Sequence, residues 1–351
     1  MLACRKVFPT IGRQEALWVV MRQPKSDFRL SKIDVETTYK DQTRETKPKG
    51  LAGEKSLMNH EFTILDGSMG AELIARGHTP RTGLWSAKAL LDVPEAVSQV
   101  HVDYIAAGAS VITTNSYSTI PSYLTKAGMS ESYLELTEVA AKLARESADS
   151  ASSSVRVAGC LPPLDESYRH DLVPEDSESR EIYGELVKVL VPYADIYLCE
   201  TMSRAREAAN ASHAARTFAP DKPLWVAWTL HETPGKGLRS EESIQQALEA
   251  VMPFDPDAFL FNCTSPSAIC AGIEILATLT DKPIGAYPNG FDVPPGWTLD
   301  NEIPVEPRDI NEDDFIGFAR KCREKGASII GGCCGIGPSH IRAIAREFDS
   351  A

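Results

Sequence analysis

The sequence predicts a single (β/α)8 TIM barrel with an irregular amino-terminal extension. Three observations predict it: eight short β-branched runs, an amphipathic stretch after each, and a first strand–loop junction without a dinucleotide fingerprint. The predicted strands are 62–66, 110–114, 155–160, 196–200, 224–229, 258–263, 284–288 and 328–332. Apolar positions at helical spacing predict helices over 94–107, 131–148, 179–191, 203–218, 240–252, 266–280, 312–325 and 338–348. Ser240 before Glu241-Glu242 and Pro338 read as helix starts, and Gly108 and Gly326 as left-handed helix ends. A doubly wound open sheet shares this alternation. Its usual phosphate loop is G-x-G-x-x-G, whereas Asp66-Gly67-Ser68-Met69-Gly70 follows the first strand here. The loop over 161–177, rich in proline and acidic residues, follows the third strand and could cover an active site.

The chain has 351 residues, 43% apolar and 24% charged, the balance of an ordinary folded protein. No run of about 18 apolar residues occurs, so no membrane-spanning helix is expected. A net charge of −13 argues against nucleic acid or an anionic membrane as partner, leaving small zwitterionic or cationic substrates. Residues 1–57 run against this trend, with 12 Lys and Arg to 7 Asp and Glu. Their apolar run at 17–21 is too short for a signal peptide, and Glu15, Asp27, Asp34 and Glu36 interrupt a transit-peptide pattern. The expected division is an extension over 1–57 and a barrel over 58–351. The extension reads as disordered or loosely attached, as a targeting segment, or as a gene-start artefact with Met58 as initiator. With no signal peptide, the expected location is cytoplasmic.

A barrel gathers its functional residues at the carboxyl ends of the strands. Asp66, Thr114, Cys160, Glu200, Cys263 and the pair Cys333-Cys334 all stand there. Glycines flank the cysteine pair in Gly331-Gly332-Cys333-Cys334-Gly335 and let the backbone turn both sulfurs toward one point. With Cys263 they would form a three-thiolate metal site whose fourth position is open, the arrangement of a catalytic zinc. Small buried core cysteines are the competing reading, and spacing leaves both open. Cys199, Cys270 and Cys322 read as packing residues, and Cys160 as one with a lesser claim on the site. The seven histidines form no metal motif, and no G-x-S-x-G elbow or P-loop occurs. Asp66 and Glu200 suit the ammonium group of an amino acid, through charge-assisted hydrogen bonds. Asp66 could instead cap a helix near Ser68, whereas Ser203 already offers a cap after Glu200.

Seven stretches together closely resemble the homocysteine S-methyltransferase family. They are LDGSMGAELIARG (65–77), LWSAKALLDVPEAV (84–97), GASVITTNSYST (108–119), LCET (198–201), FNCTSP (261–266), AYPNG (286–290) and IGGCCGIGPSHI (330–341). The resemblance implies a barrel in which Cys263, Cys333 and Cys334 bind Zn2+. It also implies homocysteine binding by Asp66, Gly67, Thr114 and Glu200, with Trp85 close to the methyl donor. Trp228 and Tyr287 are weaker aromatic candidates, better read as core. The implied reaction moves a methyl group from an onium donor to the homocysteine thiolate, forming methionine. Betaine-using members carry an aromatic residue where this chain has Thr201, so the resemblance favours S-methylmethionine or S-adenosylmethionine. A betaine- or dimethylsulfoniopropionate-dependent enzyme, a folate-linked one, a non-catalytic homocysteine- or zinc-binding barrel and an unrelated barrel enzyme are the alternatives. Tyr117 is offset by one position from the tyrosine that closes the metal site in some members, so that role is not carried over.

Overall fold

The computed structural model describes residues 62–78, 84–298, 303, 308 and 310–349. The extension assigned to residues 1–57 lies outside the described residues. Eight strands run in chain order: β1 Thr63–Ile64, β2 Val111–Thr113, β3 Arg156–Leu161, β4 Ile196–Met202, β5 Leu224–Trp228, β6 Ala258–Asn262, β7 Ile284–Tyr287 and β8 Ala327–Ile330. They pair in parallel in the order β1-β8-β7-β6-β5-β4-β3-β2. The circle closes between its two ends, where Leu65 bridges Val111 and the Asp66 amide donates to the Val111 carbonyl at 3.0 Å. This closure excludes the open doubly wound sheet.

The helices are α1 Met69–Ala75, α2 Ala87–Asp92, α3 Pro94–Ala107, α4 Pro121–Thr125, α5 Tyr133–Asp149, α6 Asp176–Leu190, α7 Ala205–Phe218, α8 Ile244–Val251, α9 Pro266–Leu276, α10 Glu312–Glu324 and α11 Pro338–Asp349. Eight of them answer to the predicted helices, and α3 matches its predicted bounds. The short α2 and α4 were not foreseen, and α1 only as a helix that could begin near Ser68, because five to seven residues are too few to show a helical period. Gly108 and Gly326 end their helices at φ of 107° and 103°, as expected. Ser240 does not start α8. Ser243 does, through a capping box in which its hydroxyl accepts from the Gln246 amide.

Strand alternation divides the core in two. Leu224, Val226 and Trp228 of β5 face the helical layer, while Trp225 and Ala227 face the barrel interior with Leu65, Val111 and Leu260. Arg156 lies over the Trp225 ring at 5.5 Å, at the amino-terminal end of the barrel. No described helix is long and apolar enough to cross a membrane.

Candidate active site

Residues of β4 and β7 and of the loops leaving β1, β2, β3, β6 and β8 converge on one cleft at the carboxyl end of the barrel. All eight residues singled out from the sequence line it: Asp66, Gly67, Trp85, Thr114, Glu200, Cys263, Cys333 and Cys334. They come from positions scattered over 269 residues of chain, and barrel closure alone brings them together.

Asp66 caps no helix. Ser68 caps α1 by accepting from the Ala71 amide at 3.2 Å, which leaves Asp66 free for other partners. Its carboxylate accepts from the Thr113 amide at 2.7 Å and the Thr113 hydroxyl at 3.1 Å. Burial raises its pKa to about 8 against these hydrogen bonds, and the nearby Glu200 adds to the rise. Glu200 lies inside β4 rather than at its end, within the register shift between β4 and β5 that falls between Cys199 and Met202. Burial raises its pKa to about 7, while the Cys160 thiol donates to it at 3.2 Å. The buried Tyr287 hydroxyl lies beside Glu200 and meets no hydrogen-bond partner of good geometry. A cleft floor with two strained-up carboxyls and an orphan hydroxyl is prepared for a cationic, hydrogen-bonding ligand. Ser203 also departs from expectation. It does not cap α7; its amide and hydroxyl both donate to Glu207.

Gly67 shows why the first loop has its sequence. A side chain there would bring a Cβ within 2.4 Å of the Ile336 carbonyl oxygen and 2.8 Å of the Tyr104 hydroxyl. That hydroxyl donates to the carbonyls of Ser68 and Ile336, binding the β1 loop to the β8 loop. Thr114 exchanges a hydrogen bond with Ser116 at 2.8 Å and accepts from the Cys160 amide at 3.0 Å.

Cys263 and Cys333 meet sulfur to sulfur as a bonded pair with their Cα atoms 5.8 Å apart. Cys334 has a free thiol in the same cleft. Burial pushes that thiol up to about 12, and Glu200 adds to the effect, so it will not ionise unaided at neutral pH. Among the described residues, no group of three His, Cys, Asp or Glu side chains is disposed around a metal position. This differs from the open three-thiolate cage expected from the sequence. The donor set still suits a borderline-soft cation such as zinc, since three thiols share one cavity wall once the pair is reduced.

Several site features escaped the sequence reading. Thr201, considered only as a marker of donor type, is fully buried and donates its hydroxyl to the Cys263 sulfur at 3.4 Å. Asn262 holds it there, accepting from the Thr201 amide at 3.0 Å and donating to its hydroxyl at 2.8 Å. Four non-glycine residues at or beside the cleft have positive φ: Trp85, Tyr168, Thr201 and Cys263, at 45°, 68°, 60° and 50°. Such strain gathers where surrounding structure fixes a functional geometry. Tyr168 belongs to the 161–177 loop and lines the cleft, so that loop does reach over the site. Trp85 packs edge-on to Tyr117 with ring centres 6.0 Å apart, and the Tyr117 hydroxyl is hydrogen-bonded to Ser167. Tyr287 lines the cleft, contrary to its core reading, whereas Trp228 is buried outside it, stacked on Phe259.

Comparison with known proteins gives one family. The profile described as Homocysteine S-methyltransferase matches residues 63–348. Homocysteine S-methyltransferase 1 of Arabidopsis thaliana is 30% identical over 316 residues, covering 81% of this chain and 93% of the relative. Homocysteine S-methyltransferase YbgG of Bacillus subtilis is 29% identical over 82% of this chain and 95% of its own. The metallated form of the homocysteine methyltransferase MmuM from Escherichia coli superimposes with a TM-score of 0.70 at 24% identity, over 84% of this chain and 99% of that one. At that identity the superposition bears on the fold.

Proposed function

Since the chain belongs to the homocysteine S-methyltransferase family and is a methyltransferase, we propose that it methylates L-homocysteine to methionine with zinc held by Cys263, Cys333 and Cys334. The methyl donor in this reading is a sulfonium, S-methylmethionine or S-adenosylmethionine. The observation that carries it is the sharing of one cleft by three thiols and two buried carboxyls. Zinc, when bound, supplies the charge that keeps a substrate thiol ionised at neutral pH. The remaining work falls to this chain's own residues. Asp66 and Glu200 accept the substrate ammonium, and Thr113 fixes the Asp66 carboxylate through two hydrogen bonds. Gly67 presents main chain to the substrate, and its lack of a side chain lets the β1 loop pack against Ile336 and Tyr104. Thr201 orients the Cys263 sulfur. Trp85, with Tyr117 beside it, and Tyr168 elsewhere in the cleft lining offer aromatic faces that attract a positively charged donor.

Metal analysis of the reduced protein tests the zinc assignment. About one zinc per chain is expected, and Cys334→Ser should lose both the metal and methyl transfer. Activity that survives this substitution would refute the role given to the thiols. The donor is tested by incubating protein and homocysteine with S-methylmethionine, S-adenosylmethionine, betaine, dimethylsulfoniopropionate or methyl-folate and measuring methionine. Turnover with betaine alone would overturn the sulfonium reading.

A further inference from the structure

A second pair of cysteines lies on the helical layer, away from the cleft. Cys270 of α9 and Cys322 of α10 have their sulfurs 3.9 Å apart. Cys322 is fully buried, whereas Cys270 is partly exposed in a surface groove between the two helices, also lined by Lys321 and Lys325. Small hydrophobes on facing helices would explain two buried cysteines. They do not explain one thiol opening to solvent beside two ammonium groups with its partner directly behind it. Forming a bond of about 2.05 Å needs the sulfurs to close by less than about 2 Å, within the reach of side-chain rotation and a small helix shift.

We propose that Cys270 and Cys322 form a reactive dithiol, a modification site that takes a hydroperoxide and closes to a disulfide joining α9 to α10. Cys270, the accessible member, attacks the peroxide; the O–O bond breaks, an alcohol or water leaves, and Cys270 becomes a sulfenic acid. The Cys322 sulfur then attacks the Cys270 sulfur. The S–S bond forms, the S–O bond breaks, and the Cys322 proton leaves with the hydroxide as water. The two sulfurs together give up two electrons, which reduce the peroxide. The surroundings favour this order. The hydrogen bond from Cys322 holds the Cys270 thiol below its ordinary value, and Lys325 and Lys321 add to this, while burial pushes Cys322 well up. Lys325 is ion-paired to Glu274 on α9, which keeps its charge beside the pair.

The test uses the reduced full-length protein, treated with hydrogen peroxide, alkylated without reductant and cleaved after acidic residues. Mass spectrometry should find the Cys270 and Cys322 peptides joined, with fragment ions assigning the link to Cys270 rather than to Cys263 on the same peptide, and dithiothreitol should separate them. In Cys322→Ser, a sulfenic acid should accumulate at Cys270 and be captured by dimedone. The wild-type measurement needs no variant to fold, so it decides by itself. Both residues remaining fully alkylatable while the peroxide is consumed would overturn the proposal. So would oxidation of Cys270 to sulfinic acid without linkage.

Discussion

Burial keeps Asp66 near a pKa of about 8 and Glu200 near about 7, so both carboxyls are largely protonated in an empty cleft at pH 6. An ammonium between them favours the ionised forms, and at low pH it must displace their protons. The KM for homocysteine should therefore fall by about tenfold or more between pH 6 and pH 8.5 with donor saturating. Asp66→Asn should raise KM and flatten that slope; a KM already independent of pH in the unsubstituted protein would remove both residues from ammonium binding. Thr201 supplies a different kind of control, because its hydroxyl is a partner of the Cys263 sulfur. Thr201→Val keeps the shape and removes the donor. Partners that orient metal ligands are worth about 10–100-fold, so zinc affinity in a chelator competition should weaken by that order. At this scale the sequence showed Asp66, Glu200 and the cysteines because each stands at or near a strand end. It hid Thr113 and Thr201, whose importance rests on a partner 47 or 62 residues away.

Among the elements, the junction of β1 with α1 is packed directly against the β8 loop. Gly67→Ala puts a Cβ 2.4 Å from the Ile336 carbonyl oxygen, a backbone atom that cannot rotate away. A loss of roughly 1–3 kcal/mol in urea unfolding is expected, with homocysteine binding weakened in parallel. Stability unchanged within error would show that the two loops can separate freely. Helix α3 carries another buried tension at His101, whose two ring nitrogens meet no partner in the core. Burial lowers its pKa from 6.5 to about 4. A lowered value in the folded state means that the unfolded chain binds the proton first. The stability it confers is full above pH 6.5 and lost as pH falls toward 4. Urea midpoints of His101→Leu and the unsubstituted protein should therefore converge, or cross in favour of the variant, between pH 7 and pH 4.5, by roughly 2–3 kcal/mol in relative stability. Parallel pH curves would show that His101 does not titrate on unfolding. Element boundaries were readable where chemistry marks them, as at Pro94, Pro266 and Pro338, each of which opens a helix. At α8 the sequence reading put the start at Ser240, and only the chain path moved it to Ser243. Glu241 between them takes a φ of 67°, which turns the backbone out of the helix before the true start.

Over the whole molecule, the alternation of runs was enough to determine eight strands and the eight long helices that follow them, because a strand buried on both faces must be apolar throughout and a covering helix apolar on one side. The missing phosphate-loop pattern after the first strand favoured the barrel over the open sheet. The strand-end rule then named the chemistry: thiols, carboxyls and small loop residues at one mouth. What only the tertiary structure decided is how those groups meet. Spacing along the chain carries no information on which sulfur touches which, so the joining of Cys263 to Cys333 beside a free Cys334 had to come from the packing of the β6 and β8 loops. The same holds for the pair on α9 and α10, which read as inert core until two helices 52 residues apart in their cysteines were laid side by side. Side-chain identity and local periodicity are properties of the chain; distance and burial between remote residues exist only once the barrel has closed.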